Sequence, residues 1–323
     1  MIDTVVSVKL PIGEMLRIKR NRLMPDVVTG EEKRICLWTE NEDGEKIHFR
    51  QFMNAYEEAE YICGEIIRRI KAEFENLTGI VDVYPAVNPL GLDARTRAVP
   101  ISDIDYSSAF PGDINGGLED YTAAKLIEDI KGASCCIDIH SSNIFLQEVP
   151  QVRLNNDYDE TLLHLSKYMN TDLVWIHPSQ TVNEGSLAFT LNQMGIPTMV
   201  TESGAAFRIR YEYCRQIIDG IFSVMAELGI WKGKVQGKTK VPFIHEDQIF
   251  YLNCESSGLF VSYKRLKDPV KKGEIIGIVQ NPLMGATEEE VVAPTDGILM
   301  TLREHPSVTE GSLVARVIGG NAL

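Results

Sequence analysis

Asp138 and His140 stand two residues apart at the end of an apolar run, Cys135-Cys136-Ile137-Asp138-Ile139-His140, followed by the hydroxyls Ser141 and Ser142. Read as a buried strand, the run alternates with period two, which puts both side chains on the same side. An imidazole at a strand end, with a carboxylate beside it to orient it, is suited to present one metal ligand. A core histidine hydrogen-bonded to its neighbour would give the same pattern. Two other strand-like runs also end in polar residues. Residues 80–87 lead into Asn88-Pro89-Leu90-Gly91, and residues 197–200 lead into Thr201-Glu202-Ser203-Gly204.

The elements that would hold these residues alternate in type. Residues 5–10 and 35–38 have strand composition. Residues 47–52 form a plausible hairpin partner of 35–38, turning through Asp43-Gly44. Residues 54–76 are rich in helix formers, with Tyr61, Ile66, Ile67 and Ile70 forming an apolar stripe. Further helices are expected over 118–131, 160–169, 186–194 and 211–228, with strands at 135–140, 173–176 and 197–200. Strands separated by crossover helices predict an α/β domain built on a mixed, mostly parallel sheet with flanking helices. In such sheets, sites gather at the carboxyl ends of strands. That is where Asn88, His140 and Glu202 fall.

Beyond about residue 235 the texture changes. Short strand-like segments punctuated by Gly and Pro replace helices: residues 258–262, 270–277, 292–299 and 308–314. They predict a small all-β domain, so the expected organisation is an α/β domain over 1–235 and a β-rich domain over 236–323. The rhythm is similar to that of biotinyl or lipoyl carrier hairpins. The expected tip, Gln280-Asn281-Pro282-Leu283-Met284, has no lysine to modify. A β-domain that walls the site or supports oligomerisation is the favoured alternative to a swinging carrier.

Composition narrows the function classes. The chain has 323 residues, 44% hydrophobic and 24% charged, and a net charge of −14. Such an acidic balance offers no Lys/Arg field for nucleic acid. The beginning, MIDTVVSVKLPIGEM, has no charged segment leading into an apolar core, and no run has membrane-spanning length. The six cysteines, at 36, 63, 135, 136, 214 and 254, contain no CxxC. They are expected as reduced thiols in a cytoplasmic protein.

Taken in order, four segments resemble the succinylglutamate desuccinylase/aspartoacylase family. The first is Asn88-Pro89, then Arg97, then Asp103-Ile104-Asp105-Tyr106-Ser107-Ser108-Ala109-Phe110-Pro111-Gly112. The second is Asp138-Ile139-His140, the third runs from Ile196 to Gly204, and the fourth is the Gly-rich β tail. The resemblance spans nearly the whole chain. It implies a zinc-carboxypeptidase-like fold with a C-terminal β-domain and zinc-dependent hydrolysis of an amide. It implies that His140 is the third zinc ligand and that Glu202 is the general base activating a metal-bound water. It further implies that Arg97, with Arg95 as a rival, polarises the scissile carbonyl. Asn88, Ser107, Ser108 and Arg208 then fall at substrate-binding positions.

The chain also departs from that family. Its first zinc motif, HGxE, aligns with Met53-Asn54-Ala55-Tyr56, which supplies neither His nor carboxylate. An inserted hairpin, roughly residues 39–51, stands just upstream. Ser107 and Ser108 occupy the positions of an Asn and of the Arg that holds the substrate carboxylate, and a serine does not replace a bidentate guanidinium. After Glu202 the chain reads Gly204-Ala205-Ala206-Phe207-Arg208, bulkier than the family turn. A catalytic zinc takes about three protein ligands, and of the family's three only His140 is kept. His48 and His177 are the rival substitutes.

Two functions follow. One is a pseudoenzyme: a desuccinylase-like, hydrolase-like scaffold with weak or absent zinc binding, kept to bind a small ligand, to partner an active homologue or to form a homo-oligomer. The other is a metal-dependent hydrolase of an N-acyl amino acid or related amide, using His140, Glu202 and recruited ligands. The first is favoured, because losses at both the metal motif and the substrate anchor, with Phe110-Pro111-Gly112 retained, fit drift in an impaired site.

Overall fold

A computed structural model describes residues 1–10, 14–39, 57–96, 98–102, 104–155, 160–178, 185–236 and 241–320. The expected hairpin at 39–51, with His48, and the residues Met53, Tyr56, Arg97 and Asp103 lie outside the described residues, apart from Thr39 at a strand end.

The N-terminal strands are β1 (Ile2–Lys9), β2 (Met15–Leu23), β3 (Arg34–Thr39), β4 (Ile80–Tyr84), β5 (Cys135–Ser141), β6 (Leu146–Asn155), β7 (Leu173–His177) and β8 (Thr198–Gly204). The helices are α1 (Glu57–Ala72), α2 (Pro89–Ala94), α3 (Leu118–Ile130), α4 (Glu160–Ser166), α5 (Leu187–Gln193) and α6 (Tyr211–Glu227). The C-terminal strands are β9 (Phe243–His245), β10 (Ile249–Asn253), β11 (Gly258–Ser262), β12 (Pro269–Val270), β13 (Ile275–Gln280), β14 (Thr287–Val292), β15 (Gly297–Arg303), β16 (Ser307–Val308) and β17 (Leu313–Gly319).

The principal sheet runs β1-β2-β4-β3-β5-β8-β6-β15-β17-β10, with β7 and β9 branching from β6 and β12 pairing with β15. Its centre is parallel: β4, β3, β5 and β8 are joined by parallel pairs. β2 and β6 border that centre antiparallel. A second, antiparallel sheet, β14-β13-β11-β16, is built from C-terminal strands. No α-helix occurs among the described residues after 241.

The central strands are apolar on both faces, as a sheet covered by helices on both sides must be. On one face Ile35, Leu37, Ile137, Ile139 and Met199 pack with residues of α1, α4 and α6. On the other, Cys36, Trp38, Tyr84 and Cys136 pack with residues of α3 and α5. The alternation that buries Cys136 on the second face also places Asp138 and His140 there. All six cysteines are buried and unpaired. No helix among the described residues is long and apolar enough to cross a membrane.

Candidate functional site

β5 and β8 lie side by side in parallel, in a register that pairs His140 with Glu202 and Asp138 with Val200. Paired residues of adjacent strands share a face, with strands about 4.8 Å apart. His140 and Glu202 therefore emerge together, 7% and 1% exposed. The strand ends are tied: Ser142 N donates to Ser203 O at 2.9 Å, and Ala206 N to Asn143 O at 3.3 Å.

His140 Nε2 lies 3.0 Å from Asp138 Oδ1. The angle at that approach is not that of a hydrogen bond, and neither ring nitrogen of His140 has a hydrogen-bond partner among the described residues. Ser141 Oγ is in the same condition. Glu202 instead faces a cation, with Arg153 Nη1 3.4 Å from its Oε2.

Arg153 comes from β6, whose regular pairing of Gln151 with Glu202 and of Arg153 with Val200 puts it in place. β6 pairs Gln151 with Glu202 and Glu148 with Gly204, so three residues of one strand span two of the other. That bulge, at Pro150, brings Glu148 onto the same face as Gln151 and Arg153. Arg153 Nη2 then reaches Glu148 Oε2 at 2.8 Å. Glu148 Oε1 accepts from Arg316 at 2.6 Å and from Thr301 Oγ1 at 3.0 Å. The two guanidinium carbons sit 5.3 and 5.4 Å from the ring centre of Trp175. The chain Glu202–Arg153–Glu148–Arg316 is thus buried, with charges alternating in sign, as burial of ions requires. Gln151, opposite Glu202, is fully buried, and neither atom of its amide has a hydrogen-bond partner among the described residues.

The other expected site residues make local contacts of their own. Asn88 is buried and caps α2, its side-chain oxygen accepting from Gly91 N at 2.9 Å. Arg95 ends that helix with a left-handed φ of 55°. Ser107 and Ser108 belong to a single 3₁₀ turn, where Ser108 Oγ donates to Asp105 O at 3.0 Å. Arg208 turns to the end of β15, its Nε 3.0 Å from Glu304 Oε1. His177 stacks on Trp175 with ring centres 3.9 Å apart. Its strand is three places from β5 in the sheet, about 14 Å at ordinary strand spacing. It therefore does not stand as a partner to His140.

Zinc is the metal that the resemblance implies. No group of three or more His, Cys, Asp or Glu side chains able to hold a metal ion occurs among the described residues. His140 and Asp138 are two donors where a catalytic zinc takes three, so the described residues alone do not fit that ion.

Arg153, Glu148 and Gln151 were not legible as site residues. A signal existed: Gln151-Val152-Arg153-Leu154 alternates polar and apolar. Pro150 and the adjacent charges hid it, because charged residues normally mark solvent.

Comparison with known proteins bears on the family and the fold. The model of the succinylglutamate desuccinylase/aspartoacylase catalytic domain matches residues 58–228. The chain is 24% identical over 255 residues to the N-alpha-acetyl-L-2,4-diaminobutyric acid deacetylase of Halomonas elongata, covering 76% of this chain and 74% of that protein. Among solved structures, the product-bound ectoine utilization protein EutE (DoeB) of Ruegeria pomeroyi superposes with a TM-score of 0.76 at 20% identity, covering 95% of this chain and 90% of that one. A succinylglutamate desuccinylase/aspartoacylase of Rhodobacter sphaeroides gives 0.73, with the same identity and coverage. With its matched region reaching from the start of α1 to the end of α6, the chain belongs to the succinylglutamate desuccinylase/aspartoacylase family.

Proposed function

We propose that this chain is a catalytically impaired member of its deacylase family that binds a small N-acylated amino acid, or a close analogue, beside His140, Gln151 and Glu202. The observation that carries the reading is the concentration, on one face of the sheet, of buried polar atoms without hydrogen-bond partners among the described residues: both ring nitrogens of His140 and both amide atoms of Gln151. Each such atom left unmatched costs on the order of 1–3 kcal/mol. A cluster of them in one place is what a polar ligand would complete.

Impairment is supported on two counts. Met53 and Tyr56 stand where the family carries a His and a Glu ligand. The carboxylate expected to act as base lies 3.4 Å from the Arg153 guanidinium, which competes with a substrate or a water for it. Assembly into a homo-oligomer or a complex with an active homologue is a companion proposal. A cytoplasmic setting suits the unpaired thiols.

The test is calorimetry with N-acetyl-L-2,4-diaminobutyrate, succinylglutamate and N-acetylaspartate, alongside an assay for the released amine. Saturable binding of one of them, weakened by Gln151→Ala, with turnover at least a thousandfold below that of an active relative is expected. Efficient turnover with one tightly held zinc per chain would overturn it.

One observation favours the second reading, a metal-dependent hydrolase with a rebuilt site. Two ligands about 2.0–2.2 Å from a common tetrahedral zinc stand roughly 3.3 Å apart. His140 Nε2 and Asp138 Oδ1, at 3.0 Å, are close to that spacing. A third ligand from the residues before α1 would complete such a set, and zinc analysis of protein prepared without chelator separates the two readings.

A further inference from the structure

A cavity of about 490 Å³ opens on the opposite side of the sheet from Glu202. Glu148 points toward Arg153 and Arg316, whereas its neighbour Gln147 lines this cavity, as alternation along β6 requires. The walls come from the start of α6, from the end of β15, and from β11 with the residues after it. The cavity therefore lies where the helical part of the chain meets the C-terminal strands, a common place for a ligand.

Its lining is cationic. Arg210, Lys264, Arg265 and Arg303 face one carboxylate, Glu304. That is unexpected in a chain of net charge −14. Several of these groups are fixed in place. Arg303 is 8% exposed and donates to the main-chain oxygens of His305, Leu313 and Ser307 at 2.9, 3.1 and 2.9 Å. Arg210 reaches Glu304 at 2.8 Å, and Arg208 binds the other oxygen of the same carboxylate at 3.0 Å, so one negative charge serves two guanidinium groups. Lys264 is paired with Glu274. The guanidinium of Arg265 is exposed, and no partner for it occurs among the described residues. Apolar surface is supplied by Phe260 and Leu266.

We infer that this cavity is a binding site for a small organic dianion, a phosphate ester with a compact apolar body, separate from the site at His140 and Glu202. Four cations lining one concave surface raise the local concentration of an anion, and Arg265 adds a guanidinium with no partner among the described residues. Arginine forks match phosphate oxygens two at a time. Phe260 and Leu266 give the ester group something to cover, so the ester should bind more tightly than the bare ion. The volume lies within the range of ordinary small-molecule sites.

Titration of the full chain with phenyl phosphate, inorganic phosphate and phenol tests this. Phenyl phosphate is expected to bind at one site per chain, at least tenfold tighter than inorganic phosphate, and phenol not to bind. Arg265→Glu, an exposed substitution that leaves the fold intact, should weaken phenyl phosphate at least tenfold, and Arg265→Ala less. Glu202→Gln should leave phenyl phosphate affinity unchanged, and Arg265→Glu should leave binding of N-acyl amino acids unchanged. Higher salt should weaken phenyl phosphate binding. Absence of phenyl phosphate binding at millimolar concentration, indifference to Arg265→Glu, or loss on Glu202→Gln would each overturn the inference.

Discussion

Arg153 stands between two buried carboxylates, 3.4 Å from Glu202 on one side and 2.8 Å from Glu148 on the other. Its guanidinium places a positive charge beside Glu202, which is 1% exposed inside the sheet. Arg153→Met should therefore destabilise the chain by about 3–5 kcal/mol, since Glu202 loses this cation inside the sheet while Glu148 keeps Arg316 at 2.6 Å. Adding Glu202→Gln should recover part of that loss, and Arg153→Lys should cost less than Arg153→Met. Chemical denaturation midpoints of the four proteins decide the matter. A loss under about 1 kcal/mol in Arg153→Met would place the pair among weak surface-type contacts.

Gly204 ends β8 with a left-handed φ of 64°. A Cβ there would overlap a carboxylate oxygen of Glu58, near the start of α1. Gly204→Ala should cost about 1–2 kcal/mol for the left-handed backbone, plus a steric part for displacing the end of the Glu58 side chain. In a double-mutant cycle with Glu58→Ala, the steric part should vanish and the backbone part remain. Additive losses would mean that the two positions do not meet.

Glu58 also sets a pH dependence. It is 1% exposed, and burial raises its carboxyl to about 7 from the ordinary 4.5, against the opposing hydrogen bonds from the Cys214 thiol and the Arg210 amide. A raised folded value means that the folded state holds the proton more tightly. Stability from this group is full below about 4.5, falls as pH rises toward 7, and is level above that. The loss amounts to roughly 2–4 kcal/mol at about 1.4 kcal/mol per tenfold change in proton affinity. Glu60, pushed up to about 7 mainly by burial, adds a smaller share in the same window because it is more exposed. Unfolding free energy measured from pH 5 to pH 8 should slope downward in the wild type and distinctly less in Glu58→Gln. Equal slopes would remove Glu58 from the account.

The sequence was legible where period and burial agreed. β5 and β8 are apolar runs bounded by turns, and α1, α3, α5 and α6 carry continuous apolar stripes. β2 and β6 were not anticipated, for one physical reason. Both carry charges that strands usually turn to water, and here those charges are buried against one another. Arg22 of β2 binds Asp82 at 2.6 Å, and Arg20 binds Asp129 at 2.5 Å. Arg153 of β6 binds Glu148 and Glu202. Local composition cannot reveal a counter-charge sixty or a hundred residues away. The adjacency of His140 and Glu202 was readable from strand ends. The engagement of Glu202 by Arg153 was not, because it depends on β6 pairing with β8 in a register that sets Gln151 opposite Glu202.

The metal reading has its own check. With two hard donors at 3.0 Å, His140 Nε2 and Asp138 Oδ1, zinc should bind the wild type weakly and at sub-stoichiometric occupancy after dialysis. His140→Ala should abolish the little that binds. One zinc per chain surviving dialysis would revive the hydrolase reading.

The last expectation concerns repair. Met53→His with Tyr56→Glu supplies two ligands of the type the family uses, and zinc affinity should rise by orders of magnitude, because ligand number dominates affinity. Hydrolysis of succinylglutamate or N-acetylaspartate should nevertheless stay low. Glu202 still shares its carboxylate with Arg153. Ser108 offers a hydroxyl already donated to Asp105 O, where a substrate carboxylate calls for a guanidinium. An unpaired buried charge costs on the order of 3–5 kcal/mol, roughly two to three decades in rate. Adding Ser108→Arg should therefore raise kcat/KM well above that of the double mutant, while zinc content stays the same. Strong activity in the double mutant alone would show that another residue already holds the substrate carboxylate, and that the Arg153 contact does not restrain Glu202 as a base.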